Sequence, residues 1–218
     1  MRTRLVLLVA LYGISGLYAE SPLYWALANN DAVEVWQAED LPEMLEENGL
    51  TAPAWAVARG NAEALDVLIW RGVSLDKVDG QGRNLLFEAA ALGRLDLFEK
   101  ILTQGAKVDK VDVQGQTLVH AAARAPHPEM LEWLLAQGLG GTTRTELGVT
   151  PLMVACGERR RTAVETLLKW GAVPEDQDFL GRSVKDYAEA GGDPGTLELI
   201  DATLTPWTIE PAGKAPPL

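Results

Sequence analysis

Apolar residues in this chain recur at helical spacing in short segments. These segments are separated by polar stretches rich in glycine. In four segments they lie three or four positions apart, as on one face of a helix: Leu65, Leu68 and Ile69; Phe98, Ile101 and Leu102; Leu131, Leu134 and Leu135; Val164, Leu167 and Leu168. Small residues dominate the segment before each of these, as in Ala89-Ala90-Ala91 and Ala121-Ala122-Ala123. The pattern predicts pairs of helices, in which the small residues allow close packing and the larger apolar faces are buried against the next pair.

Two series of glycines punctuate these helix pairs at a fixed interval. Members of the first series are 33 residues apart: Gly49, Gly82, Gly115, Gly148 and Gly181. Members of the second series have the same interval: Gly72, Gly105, Gly138 and Gly171. Two residues after each glycine of the first series stands a side chain that can accept a hydrogen bond from the free amides of a helix start: Thr51, Asn84, Thr117, Thr150 and Ser183. The interval predicts a stack of identical structural units.

Two short motifs within these units resemble a known family. Thr150-Pro151-Leu152 and Thr117-Leu118-Val119-His120 resemble the Thr-Pro-Leu-His motif of ankyrin repeats, whose period is also 33 residues. The resemblance covers about Ser21 to Ala202. It implies an all-α ankyrin-repeat solenoid of helix-turn-helix units with projecting β-hairpin loops, about six repeats including atypical terminal caps. It also implies a structural hydrogen bond from His120 to neighbouring hairpins.

The first nineteen residues follow a different pattern. Arg2 and Arg4 precede an apolar run and then small residues up to Ala19, which is typical of a secretory signal peptide. We therefore expect a signal peptide at 1–19, an ankyrin-repeat domain at 20–202 and a proline-rich extended or disordered tail at 203–218. Cleavage of the signal would place the mature protein in the periplasm without membrane insertion, and an uncleaved anchor is the alternative.

Charge and residue types restrict the chemistry that the chain can perform. A net charge of −12 and a pI near 4.6 disfavour a nucleic-acid partner, since phosphates are bound by clustered Lys and Arg. The chain has two histidines and one cysteine, Cys156, without metal-ligand spacing or a phosphate-binding glycine loop. We expect no catalytic residues, no metal and no cofactor. A hydrolase with a site in the groove is the rival class, although no nucleophile and base pair can be named for it.

The resemblance implies that a partner protein contacts the hairpin tips and the exposed ends of the first helices. Counting from the first glycine series gives the candidate partner-binding residues as Leu50, Arg59, Arg83, Leu92, Val113, Gln114, Gln116, Arg124, Leu147, Val149, Glu158, Phe179, Leu180 and Arg182. The apolar tips among them, Val113, Leu147, Val149, Phe179 and Leu180, would form a strip that marks an interaction site. The alternative is that adjacent hairpins pack these side chains against each other.

The chain has seven tryptophans, of which five concern the helix pairs. Trp25 and Trp55 fall on first helices, near the concave side, and are either binding anchors or core residues. Trp70, Trp133 and Trp170 lie on or beside second helices and are expected to pack between repeats.

The expected function is non-catalytic binding of another protein. Similarity to exported bacterial ankyrin proteins suggests an immunity or inhibitor protein that binds and blocks a toxic enzyme through its concave face. An accessory scaffold that supports a periplasmic or antioxidant enzyme such as catalase is the alternative, and a purely structural envelope protein is a third reading. Acidity favours a basic partner, such as a basic secreted toxin. The sequence leaves the oligomeric state open.

Overall fold

The computed structural model describes Val35 and residues 51–204, and the first predicted unit and most of the tail therefore lie outside the described residues. Residues 51–204 form ten helices in five antiparallel pairs. In chain order these are α1 Ala52–Arg59, α2 Ala62–Trp70, α3 Leu85–Ala91, α4 Leu95–Thr103, α5 Leu118–Ala122, α6 Glu129–Ala136, α7 Pro151–Gly157, α8 Arg161–Lys169, α9 Val184–Gly191 and α10 Pro194–Leu204. The predicted all-α stack of helix pairs is confirmed.

The polar residues after the first glycine series start the first helix of each pair. The side chains of Thr51, Thr150 and Ser183 accept hydrogen bonds from amides of the first turn, as a helix N-cap should. Asn84 is different, because its side chain makes no capping bond and its Nδ2 instead donates to the carbonyl of Lys107 at 3.2 Å. Asn84 therefore ties the start of α3 to the loop that leads to the next hairpin.

Apolar residues of both helix layers form one continuous core along the stack. Leu65, Leu68, Phe98 and Leu131 are fully buried between the second helices and the first helices of neighbouring pairs. The first helices pack on one another, α3 against α1 and α5, and α7 against α9. Their small residues allow this approach, as the alanine-rich segments predict.

The tryptophans of the second helices do not all behave as expected. Trp133 packs edge-on against Phe98 of the preceding repeat, with ring centroids 5.4 Å apart. Trp70 and Trp170 instead remain 72% and 48% exposed, because each stands at the end of a second helix, where the chain turns away from the stack. Trp170 is therefore about half buried, as packing between repeats requires, whereas most of the Trp70 side chain is exposed.

The projecting loops between helix pairs are short hairpins of turns. Over residues 51–204 no strand is formed, and Gln177 and Ser183 make an isolated antiparallel bridge. The hairpin that begins at Asp79 shows why: one bond runs from the N–H of Asp79 to the carbonyl of Arg83, and one turn bond from Gly82 returns to Asp79. Two such bonds close a turn but are too few for a ladder.

The end of the described chain adds two details. Helix α10 ends at Leu204, so Thr203 and Leu204, which the sequence assigns to the tail, are helical. No helix in the described part of the chain is long and apolar enough to cross a membrane. The predicted signal peptide at 1–19 and the tail from residue 205 lie outside the described residues.

Candidate functional site

Each hairpin is shaped by the side chain at its first position. Oδ1 of Asp112 accepts hydrogen bonds from the amides of Gln114 and Gln116 at 2.9 and 2.8 Å. Asp79 and Asp178 do the same in their own hairpins. Such bonds hold the chain in a tight turn, and they fix the direction in which the tips project.

Neighbouring hairpins are joined by one backbone bond each, always at the same position. The N–H of Val113 donates to the carbonyl of Gln81 at 2.9 Å, that of Glu146 to Gln114 at 3.0 Å, and that of Phe179 to Leu147 at 2.9 Å. The tips therefore form a regular row along one side of the stack, which we call the hairpin row (residues 79–83, 112–116, 145–149 and 178–182).

The apolar tips stay exposed although the hairpin backbones touch. Val113 and Leu147 are 58% and 57% exposed, and Phe179 and Leu180 are each 69% exposed. Val149 is half-buried. The hairpins are thus joined by backbone bonds and by the contact of Phe179 with Gly148, while most of the surface of Val113, Leu147, Phe179 and Leu180 remains exposed.

His120 links two repeats from within the core. Its Nε2 lies 3.1 Å from the carbonyl of Val149 in the next hairpin, and its Nδ1 accepts from the amide of Thr117 at 3.2 Å. Burial lowers the pKa of His120 below its usual value, an effect that the Val149 carbonyl partly offsets and nearby Arg124 reinforces. The imidazole is therefore neutral and structural, which agrees with the role that the sequence motif implies.

The first helices and the hairpin row enclose a concave groove. A cavity of about 320 Å³ lies over α3 and is lined by Asp79, Arg83 and Glu88 among others, and a second of about 390 Å³ lies over α7 and is lined by Leu147, Val149 and Val154. Gln116 and Arg124 belong to the lining of both cavities. The two therefore form one groove, charged at one end and apolar at the other.

A family comparison is consistent with this arrangement of helix pairs, hairpins and groove. A family model described as ankyrin repeats (three copies) matches residues 18–112 and 86–178. The chain belongs to the ankyrin-repeat family. No curated protein matches it. The fifth ankyrin helix pair, α9 and α10, lies beyond the matched residues and is seen in the structure.

The charged residues among the predicted contact positions of this ankyrin stack are held by bonds within it. Arg83 and Arg182 form ion pairs with the aspartates that begin their own hairpins, at 2.7 Å in each case. Nη1 of Arg124 donates to Oε1 of Gln116 at 2.6 Å, and Nε of Arg124 lies 3.7 Å from Glu158 of the following repeat. These side chains are thereby positioned at the rim of the groove.

Of the remaining predicted contact residues, Gln114 lines the groove, Trp55, Arg59 and Leu92 line neither of its cavities, and two lie in the undescribed part of the chain. The guanidinium of Arg59 lies over the half-buried ring of Trp55, 5.4 Å from its centroid. Gln114 is exposed at its tip, and Leu92 is 37% exposed at the end of α3. Trp25 and Leu50 lie outside the described residues.

Glu88 and Val154 line the groove and were missed by the counting from glycines. Both occupy the same position of the ankyrin unit as Trp55, one and three periods further along the chain. Applying the 33-residue interval to Trp55 would have found them. Counting from the first glycine series alone identified the hairpin tips and helix ends. It did not identify the residues on the floor of the groove.

The opposite, convex face carries one carboxylate per ankyrin unit at the same position of each second helix. These residues, which we call the carboxylate column, are all exposed: Asp66, Glu99, Glu132, Glu165 and Glu198. Lys100 binds Asp66 at 2.7 Å, and Arg161 lies 3.1 Å from Glu165. The column therefore adds a row of five carboxylates to the face away from the groove.

The described residues of this ankyrin domain offer few reactive groups. Within residues 51–204 no cluster of three His, Cys, Asp or Glu side chains could hold a metal ion. Cys156 is fully buried in α7, and burial raises the pKa of its thiol to about 12. A thiol in that state is a packing residue, since the thiolate is the nucleophilic form.

Proposed function

We propose that this ankyrin-repeat protein binds and blocks a toxic or otherwise harmful enzyme through its concave groove, as an immunity or inhibitor protein, without turnover or cofactor. Ankyrin repeats are protein-binding modules. The observation that supports the use of this face is the combination of an open groove with large apolar tips beside it, since Phe179 and Leu180 are each 69% exposed. An apolar surface of this kind on a soluble protein is typical of an interaction site.

The charge of the protein supports a basic partner. With a net charge of −12, long-range attraction would speed the encounter with a basic enzyme at low ionic strength. Blocking by occlusion requires only that the bound protein cover the enzyme's active site.

Affinity capture with residues 20–218 as bait, from an extract of the source cells, tests the proposal. The expected result is one basic enzyme, retained at equal stoichiometry, whose activity falls in proportion to the ankyrin protein added. An enzyme whose activity is unchanged or increased in the complex would instead support the accessory scaffold. Retention of several envelope proteins without an enzyme would support a structural role.

A pair of variants shows whether the groove side carries the binding. Changing both Phe179 and Leu180 to Ser should abolish capture and leave the helical content by circular dichroism unchanged. The control is Val78→Ser, because Val78 is a 51% exposed apolar residue that lies outside the hairpin row and lines neither cavity of the groove. Capture that survives the double change and is lost in the control would place the contact elsewhere.

We also propose that the protein is exported to the periplasm, on the basis of the signal-like pattern at residues 1–19. Cell fractionation followed by N-terminal sequencing tests this. A mature chain that begins near Glu20 in the periplasmic fraction is the expected result, and a full-length cytoplasmic chain would contradict it.

A further inference from the structure

Glu88 is a half-buried carboxylate on the floor of the groove, and it forms no ion pair within the described structure. Its carboxylate makes no hydrogen bond and no salt bridge with any other residue of 51–204. The guanidinium of Arg83, whose charge acts on Glu88, is bound by Asp79, which accepts from Nε at 2.9 Å and from Nη2 at 2.7 Å. Burial raises the pKa of Glu88, and although Arg83 opposes this effect, Asp79 adds to it.

The other end of the groove is apolar and equally unoccupied by the chain itself. Leu147, 57% exposed, stands beside Val149 and Val154 around the cavity of about 390 Å³. The cation between the two ends is Arg124, and its charge is balanced by Glu158 at 3.7 Å. Glu146 also lines this cavity, but it is exposed to solvent, whereas Glu88 is half-buried. The groove therefore presents a half-buried carboxylate without a salt bridge at one end and a mainly apolar cavity at the other.

We propose that the groove binds an extended segment of the partner that places a lysine or arginine against Glu88 and a large apolar side chain against Leu147, Val149 and Val154. This inference rests on the proposed function, because it specifies the chemistry of the protein that the groove captures. A basic side chain is the complement of a partly desolvated carboxylate, and such a charge pair discriminates strongly against neutral competitors.

The repeat geometry sets the distance between the two side chains of the partner. Glu88 and Val154 occupy equivalent positions two repeats apart. Helices packed side by side lie roughly 8–10 Å apart, so two steps span roughly 16–20 Å. An extended chain advances about 3.3 Å per residue. The basic and apolar residues of the partner segment are therefore about five or six positions apart.

A random twelve-residue peptide library displayed on phage, selected on residues 20–218 of this protein, is the probe. We expect the enriched peptides to combine Lys or Arg with Leu, Ile, Phe or Trp at that separation. For one enriched peptide, Glu88→Gln should weaken binding by about tenfold or more, and Leu147→Ser should weaken it as well. The matched control is Glu99→Gln, which removes an exposed carboxylate of the convex face and should leave the affinity unchanged.

A double-mutant cycle then assigns the contact. Replacing the basic residue of the peptide by Gln should reduce its affinity for the wild-type protein and have little effect on its affinity for the Glu88→Gln variant, provided that circular dichroism shows the variant folded. An equal loss in both proteins, enriched peptides without a basic residue, or no enrichment at all would overturn the inference while leaving protein binding by other surfaces open. Peptides that are indifferent to both Glu88→Gln and Leu147→Ser would count against the groove itself, and so against the proposed function.

Discussion

Phe179 lies directly against the backbone of Gly148 in the preceding hairpin. A methyl group at Gly148 would be 2.7 Å from Cδ1 of Phe179 and 2.9 Å from its backbone nitrogen, and Gly148 has a φ of 78°. The position therefore requires glycine for two reasons: its backbone is left-handed, and a side chain there would collide with the next hairpin.

Gly148→Ala should consequently destabilise the protein more than the same change at Gly181. Gly181 is the equivalent residue of the next hairpin, with a φ of 79°, and no described atom lies within 4 Å of the position its Cβ would take. Gly181→Ala should cost about 1–2 kcal/mol for the backbone alone, and Gly148→Ala about 1–3 kcal/mol more, because the two hairpins must separate. Urea denaturation of both variants measures the difference, and equal costs would show that the hairpin contact is loose.

Loss of the charge at Asp178 should remove a pH-dependent part of the stability. Desolvation opposes ionisation of this buried carboxyl, but bonds from Arg182, Tyr187 and the amide of Leu180 outweigh it and hold its pKa at about 2. A carboxyl with a lowered pKa stabilises the fold above its unfolded value of 3.8, and the stabilisation is lost as pH falls from there through about 2.

The free energy of unfolding, measured between pH 6 and pH 2, checks this expectation. Asp178→Asn should be less stable than the wild type at pH 6 and should flatten the decline at acid pH. Glu175→Gln is the control, since Glu175 is exposed in the same loop. If the stability of Asp178→Asn falls at acid pH as much as that of the wild type, other carboxyls cause the decline.

His120 should contribute to stability in a different pH range. Because its pKa is lowered in the fold, the unfolded chain takes up a proton first as pH falls below 6.5, and stability decreases with it. His120→Ala should remove this dependence and cost about 2–4 kcal/mol, since the Val149 carbonyl loses its partner and a cavity remains. Thermal unfolding at pH 8 and pH 5.5 checks it, in a His127→Gln background that leaves one histidine to titrate.

The single cysteine should report on unfolding. Burial raises the pKa of Cys156 to about 12 from 9.0, which lowers the thiolate fraction about a thousandfold. With native protein at pH 8, Ellman's reagent should react with Cys156 no faster than the protein unfolds. In guanidinium, which unfolds the protein, the reagent should titrate one thiol. Rapid labelling of the native protein would mean that α7 is accessible.

The fold could be predicted from the sequence to a large extent, because the same pattern of glycines, helix starts and apolar positions recurs in each repeat. The helix starts at Thr51 and Thr150 and the buried positions at Leu65 and Phe98 depend on local spacing, which is visible in the chain. The function of Asn84 could not be predicted in the same way, since its bond to Lys107 is specific to one pair of repeats.

The candidate site was predictable only in outline. Counting positions located the hairpin tips, but the uncompensated state of Glu88 depends on Arg83 being engaged by Asp79. The ion pair that a charged side chain forms depends on its three-dimensional surroundings, which residue spacing along the chain does not reveal. The exposure of Trp170, at 48%, likewise could not be obtained from spacing alone.

The carboxylate column has a consequence for how the protein responds to its medium. Like charges stacked at intervals of roughly 10 Å repel one another across a distance comparable to the screening length of physiological saline. Lys100 and Arg161 compensate two of the five members. Added electrolyte therefore weakens the repulsion among these carboxylates, and dilution into fresh water strengthens it.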